Sequence, residues 1–99
     1  MTDKNFLNLV LSLNPDFSAR PMMGEYLLYY KGKHVANVCD NTLLLKNVQS
    51  VRKILPKAEL QPPYEGAKPQ IVYEEFDSPS LFSRVLEELY SALPDKKKK

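Results

Sequence analysis

Three short runs of apolar and tyrosine residues, joined by links of only two residues, constrain this chain most strongly. The runs cover about 22–30, 33–39 and 42–46, and the links are Lys31-Gly32 and Asp40-Asn41. The links are rich in residue types that tolerate the positive φ angles of tight hairpin turns, and so short a link forces the flanking strands to be antiparallel. The pattern therefore predicts a three-stranded antiparallel meander.

The third run places leucine at three successive positions. Side chains alternate between the faces of a strand, so Leu43 and Leu45 share one face while Leu44 points to the other. Two interpretations stay open at this point. Either both faces of the sheet are partly covered, or Leu44 meets a partner.

A helix is predicted before the meander, over about 6–13. Its apolar residues recur at helical spacing, Thr2 suits the N-cap position, and Asn14-Pro15 would end it. A strand over 9–13 is the competing interpretation. The agreement of the start and stop signals favours the helix.

Two more helices are predicted after the meander. The first covers 48–55, with Asn47 as its cap. The last one is opened by Ser78 and Pro79 and closed by Pro94, with apolar residues at steps of one, three and four between them.

Residues 60–69 are rich in proline and resemble a loop. A poor edge strand near Tyr64 is expected to pair across Gly66 with a better strand over 70–76. The resulting order is α-β-β-β-α-β-β-α. Antiparallel strands with segregated helices predict an α+β two-layer fold, with a single domain over residues 1–95.

The net charge of +2 conceals an uneven distribution. Lys96–Lys99 supply four positive charges, so residues 1–95 carry a net charge of −2. We expect this tail to be disordered and solubilising. The alternative is weak, non-specific nucleic-acid binding by the tail and the sheet tyrosines, with a salt slope of at most about −4 from four phosphate contacts.

The sequence predicts no catalytic, cofactor or metal site, and therefore a protein that is not an enzyme. Cys39 is the single cysteine, which excludes an internal disulfide and favours a reducing, cytoplasmic location. His34 lies five residues away on the same predicted strand, so the two side chains are expected on opposite faces. Metal-ligand spacing and a phosphate-binding glycine loop are both missing from the sequence, and neither a signal peptide nor a membrane span is expected.

One cluster begins the most distinctive part of the sequence, Arg20-x-Met22-Met23-Gly24-x-Tyr26-x-Leu28-Tyr29. It is followed by Lys31-Gly32-Lys33 and by a stretch from Val35 to Lys46 that is rich in valine and leucine. Together these segments resemble the N-terminal domain of the TfoX/Sxy family. This resemblance spans nearly the whole chain and implies the same element order. It also implies a role like that of these bacterial regulators, which coactivate transcription of competence genes for DNA transformation. The family's C-terminal domain has no counterpart in these 99 residues.

The same cluster supplies the candidate site. Arginine, methionine and tyrosine are enriched where proteins bind one another. Alternation along the first run predicts Tyr26 and Tyr30 on one face and Tyr29 on the other. The expected partner is an unidentified protein, such as a component of the transcription machinery, with homodimer formation through strand edges left open. The candidate partner-binding residues are Arg20, Met22, Met23, Tyr26 and Tyr29.

Overall fold

Two tight turns shape the centre of the sheet, as the two-residue links predict. In the computed structural model, φ is 51° at Lys31 and 86° at Gly32, and it is 52° at Asp40 and 57° at Asn41. Positive φ at both central residues is the geometry of the type I′ turn, which suits two-residue hairpins. The predicted meander is therefore confirmed.

The structure describes residues 2–22 and 25–93. Met23 and the lysine tail at 96–99 lie outside the described residues, so the predictions made for them stay predictions. In the described ranges the elements follow one another as α1 (Lys4–Ser12), β1 (Phe17–Met22), β2 (Glu25–Tyr30), β3 (Lys33–Cys39), β4 (Thr42–Leu45), α2 (Gln49–Ile54), β5 (Leu60–Gln61), β6 (Gln70–Tyr73) and α3 (Pro79–Ala92).

The strands form one antiparallel sheet in the order β1-β2-β3-β4-β6-β5. All three helices pack against the same side of it, which we call the helix face. Their buried side chains, such as Val10, Val51 and Val85, share one cluster with Leu28 and Leu43 of the sheet. The α+β architecture predicted from the sequence is therefore confirmed. We call the opposite side the outer face.

The predicted element order lacks one strand, because residues 17–22 form β1 ahead of the first predicted run. This strand pairs antiparallel with β2, and its last residue, Met22, pairs with Glu25. Pro21 lies within this strand, although proline has no amide hydrogen to donate. The backbone amide of Lys31 donates to the carbonyl of Asp16 (3.2 Å), and the antiparallel alternation then leaves Pro21 in a pair without backbone hydrogen bonds. Its missing donor faces the open edge of the sheet, where proline is tolerated.

The expected edge strand near Tyr64 is also misplaced. The strand that pairs with β6 is β5, and β6 itself ends at Tyr73 rather than at residue 76. Residues 62–69 connect the two strands as a loop that contains three prolines and therefore offers few amide donors to a sheet. This loop lies against the outer face, where Pro63 and Tyr64 come close to Met22 of β1.

The helices begin within a few residues of their predicted starts, but two caps differ from the prediction. Asp3 rather than Thr2 caps α1, and its carboxylate accepts a hydrogen bond from the amide of Asn5 (3.1 Å). Val48 precedes α2 with no side-chain cap. Asn47 instead donates from its side-chain amide to the carbonyl of Pro69 (3.4 Å), which ties the 62–69 loop to the end of β4.

Aromatic side chains connect the helices to the sheet. Their ring centroids lie 5.1 to 5.9 Å apart along a continuous series of contacts. The series runs from α1 to the end of α3 through Phe6, Phe76, Tyr73, Phe82, Phe17, Tyr30 and Tyr90. These rings lie on the helix face, which is therefore a packed core.

Lys33, the first residue of β3, connects this strand to the C-terminal end of α3. Its ammonium group donates to the carbonyls of Tyr90 (2.7 Å) and Leu93 (3.0 Å) and lies 4.0 Å from the centre of the Tyr90 ring. Those carbonyls have no partner within the helix, and a cation at a helix C-terminus is favourable.

The longest described helix is α3, with 14 residues. In the described part of the chain, no helix is long and apolar enough to cross a membrane.

Candidate functional site

The outer face of the sheet brings together side chains from five strands. The register places Arg20 beside Leu27 and Ser18 beside Tyr29, and Leu27 in turn beside Asn37. Because side chains of paired residues point the same way, whole rows of the outer face follow from these pairs. The outer face carries Ser18, Arg20, Met22, Glu25, Leu27, Tyr29, His34, Asn37, Cys39, Leu44 and Val72.

A β-bulge corrects the prediction that His34 and Cys39 point in opposite directions. Leu28 pairs with Ala36 but Tyr29 pairs with His34, so Val35 is an extra residue on β3. The side chains of both His34 and Cys39 therefore reach the outer face. They still do not form a nucleophile and base pair, because residues along a strand are separated by about 3.3 Å each.

The histidine is held by a row of polar side chains. Its Nε2 atom lies 2.8 Å from the side-chain oxygen of Asn37, and its ring lies 5.4 Å from that of Tyr29. The side-chain amide of Asn37 donates to Gln70 (3.1 Å). Every buried side-chain nitrogen or oxygen among the described residues has a hydrogen-bond partner. Asn37 is thus a satisfied buried amide that links β3 to β6.

Cys39 belongs to a small apolar cluster on the outer face, together with Leu44 and Val72. Burial raises the pKa of its thiol to about 11, and the nearby carboxylates of Glu25 and Asp40 act in the same direction. The thiol is therefore protonated at neutral pH, and the protonated form is a poor nucleophile. Its role in the fold is packing.

The loop at 62–69 explains why this cluster is buried. Leu44 lies on the outer face of β4 and yet is 0% exposed. The loop leaves β5 and extends over the outer face, where its Pro63 and Tyr64 line the same groove as Cys39, and it rejoins β6 after Pro69. Both faces of the sheet are therefore covered in its middle part. This was one of the two interpretations of Leu44, the other being contact with a partner.

A groove remains open on the outer face between the 62–69 loop and the paired strands β1 and β2. It has a volume of about 450 Å³, and its walls are mostly apolar. Tyr64 and Met22 form its rim and are 62% and 42% exposed. The residues that line it are Met22, Glu25, Tyr26, Leu27, Asn37, Cys39, Pro63 and Tyr64.

A shallow hollow of about 160 Å³ lies next to this groove, and it is lined by Ser18, Arg20, Tyr29 and Gly32. Arg20 is exposed. Within residues 2–22 and 25–93 its guanidinium has no hydrogen bond and no ion pair. Leu27 lines the groove and is the register partner of Arg20, so the cation stands directly beside the apolar groove.

Three of the five candidate residues, Arg20, Met22 and Tyr29, thus share the outer face. Tyr26 pairs with Val38 and packs against the core, so its side chain lies on the helix face, although the residue borders the groove. The predicted division of the tyrosines, with Tyr26 and Tyr30 opposite Tyr29, is confirmed. In the described part of the chain, His, Cys, Asp and Glu form no group that would hold a metal ion.

Sequence reasoning missed Leu27, Cys39 and Tyr64 as parts of the site. Leu27 was accessible from the alternation along β2, two residues before Tyr29. Cys39 was predicted to point away from His34, because nothing in the sequence marks the bulge at Val35. Tyr64 was placed in a strand, and the sequence has no signal for a loop that folds back over the sheet.

No family model matches this chain. A protein of Spirochaeta aurantia, described as an uncharacterized 12.7 kDa protein in the trpE 5′ region, is 36% identical to it over 74 residues. The match covers 74% of this chain and 64% of that protein, so it spans just under two thirds of the relative's length. That description names no activity, and the TfoX/Sxy resemblance stays a prediction.

Proposed function

We propose that this chain is a non-catalytic regulatory domain that binds another protein through the outer face of its sheet. The proposed role resembles that of the N-terminal domain of TfoX/Sxy competence regulators. The proposed partner is a cytoplasmic protein, such as a component of the transcription machinery. The observation that carries the proposal is the open apolar groove, with Met22 and Tyr64 exposed on its rim and Arg20 beside it.

The composition of this surface favours a protein partner. Tyrosine, methionine and arginine are enriched in interfaces, and the residues that dominate binding energy occupy apolar sites from which water is excluded. Met22 and Tyr64 provide flexible and flat apolar surface on opposite sides of the groove. A partner side chain inserted between them would bury apolar area that now faces water.

The chemistry of the same face gives little support to catalysis. The Cys39 thiol is protonated and packed against Leu44 and Val72. The Nε2 atom of His34 is engaged with Asn37. A nucleophile needs an adjacent base that can take its proton, and the five-residue separation of these two side chains along β3 does not provide one.

The sheet edges favour a different protein over a second copy of this chain. Pro21 removes an outward amide donor from β1, and the amide of Phe17 is already bonded to the carbonyl of Asn14 (3.2 Å). Of the β1 residues whose backbone faces the open edge, only Ala19 therefore offers a free donor. At the other edge, β5 has only two residues. Prolines and short strands at edges oppose strand-to-strand pairing between molecules.

The proposal is tested by quantitative affinity capture from nuclease-treated extracts of the native host. Met22→Asp is expected to reduce the captured partner at least about tenfold, since it puts a charge where apolar surface must be desolvated. Leu9→Asp is the matched control, because Leu9 on α1 is 45% exposed against 42% for Met22. Circular dichroism must show that both variants are folded.

The proposal predicts that the Leu9→Asp variant captures as much of the partner as the wild-type chain. Equal capture by the wild-type and Met22→Asp chains would contradict it. A component captured only from extracts that were not treated with nuclease would instead support the nucleic-acid alternative.

A further inference from the structure

We infer that the bound partner segment is an extended peptide that places an apolar anchor in the groove and a neighbouring carboxylate on Arg20. This inference rests on the proposed function and names the chemistry of its partner. It uses two adjacent features of the outer face, the groove of about 450 Å³ and the hollow of about 160 Å³.

The groove fits one large apolar side chain. Leu27 and Cys39 contribute to its floor, while Met22 and Tyr64 stand above them on the rim. An aromatic or long aliphatic side chain has the shape to lie between a methionine and a tyrosine. A charged anchor is disfavoured, because these walls offer it little hydrogen bonding.

The hollow fits a carboxylate. Arg20 lines it with an exposed guanidinium that has no partner among residues 2–22 and 25–93. A guanidinium presents a planar fork of donors that matches the two oxygens of a carboxylate. The exposed Ser18, also at the hollow, has a hydroxyl that is able to donate a further hydrogen bond.

The charges along β1 and β2 give the segment a direction. Glu25 lines the groove at the Met22 end, where its carboxylate accepts a hydrogen bond from the hydroxyl of Thr2 (2.5 Å). Arg20 lies at the opposite end, two residues along β1 from Met22. A partner carboxylate is therefore favoured at the Arg20 end of the groove.

The spacing of the two contacts follows from the register. Arg20 and Leu27 are directly paired across β1 and β2, so their Cβ atoms are about 5 Å apart. In an extended peptide, residues i and i+2 point the same way and are separated by about 7 Å. We therefore expect an acidic residue two positions from the apolar anchor. The donor-poor edge of β1 makes side-chain docking on the face more favourable than addition of a seventh strand.

A random 12-residue peptide display library, selected in parallel on the complete wild-type and Arg20→Glu chains, tests this inference. Peptides enriched on the wild-type chain are expected to contain Asp or Glu two positions from Phe, Leu, Met or Tyr. By fluorescence anisotropy these peptides should bind Arg20→Glu at least about tenfold more weakly, since a like charge then faces the carboxylate. Arg84→Glu, an exposed reversal on α3, should bind them as the wild-type chain does.

The outcomes separate this inference from the proposed function. Peptides that lack an acidic residue, or that bind Arg20→Glu as tightly as the wild-type chain, overturn the inference. If Met22→Asp still weakens binding of those peptides, the proposed function of the outer face survives. If neither variant weakens binding, or if nothing is enriched, both proposals fail.

Discussion

Replacing Tyr73 with alanine is expected to lower the free energy of unfolding by about 3 to 5 kcal/mol, the range for removing a large aromatic side chain from a core. Tyr73 is 1% exposed and is the largest fully buried side chain among the described residues. Its ring contacts Phe76 and Phe82, with centroid distances of 5.6 and 5.1 Å. Urea denaturation at neutral pH measures the change. A loss under about 1 kcal/mol would mean that the helix face is not packed around this ring.

Tyr73→Phe is the matched control, because it keeps the ring and removes the hydroxyl that donates to the carbonyl of Glu75 (2.8 Å). We expect a loss of about 0.5 to 1.5 kcal/mol, typical of one hydrogen bond. Burial, with the carboxylates of Glu75 and Asp77, raises the pKa of Tyr73 from 10.0 to about 12. The unfolded chain therefore loses this proton first, and stability falls as the pH rises through that interval. Tyr73→Phe should remove this part of the alkaline loss.

Leu44→Ala is expected to destabilise the protein by about 2 to 5 kcal/mol, although Leu44 lies on the face of the sheet opposite the helices. Its side chain is 0% exposed and packs with Cys39 and Val72 beneath the 62–69 loop. Truncation removes side-chain volume from this buried cluster and leaves a cavity there. Urea denaturation again gives the free energy of unfolding.

Leu9→Ala serves as the control for the chemistry of this substitution, because Leu9 is 45% exposed. Its effect should stay within about 0.5 kcal/mol, as for most surface positions. If Leu44→Ala were as mild as Leu9→Ala, the loop would not cover the outer face. The groove between the loop and the paired strands β1 and β2 would then have no fixed wall.

The sequence was most informative where turn chemistry and hydrophobic period agreed. The links at Lys31-Gly32 and Asp40-Asn41 predicted both central hairpins, because few residue types accept positive φ at two successive positions. The last helix was equally clear, with Pro79 at its first position and a continuous apolar stripe. These local signals specify α+β elements, and antiparallel pairing follows from the short links.

The errors arose where a long-range contact decides the structure. The strand β1 was not predicted, and only its position at the sheet edge shows why it tolerates Pro21. The bulge at Val35 reverses the direction of every side chain before it relative to those after it. The loop shares its groove with residues of β1, β2 and β3, so no local pattern predicts how it packs.

The candidate site was predictable only where its residues are related by the alternation of side chains along a strand. Arg20, Met22 and Tyr29 lie on two adjacent strands, and local alternation is enough to place them on one face. Tyr64 joins them only because the loop returns over the sheet. The groove is thus a product of topology, while the cation beside it is visible in the sequence.

Site-specific photocrosslinking in the native host tests most directly whether the outer face binds a protein. A p-benzoylphenylalanine replaces Tyr64, which is 62% exposed on the rim of the groove, and in a separate strain it replaces Leu9, which is 45% exposed on α1. We expect a discrete protein adduct from position 64 that is lost when Met22→Asp is added, with no such adduct from position 9. Adducts of equal yield from both positions, or none from position 64, would contradict the assignment of the outer face as the binding surface.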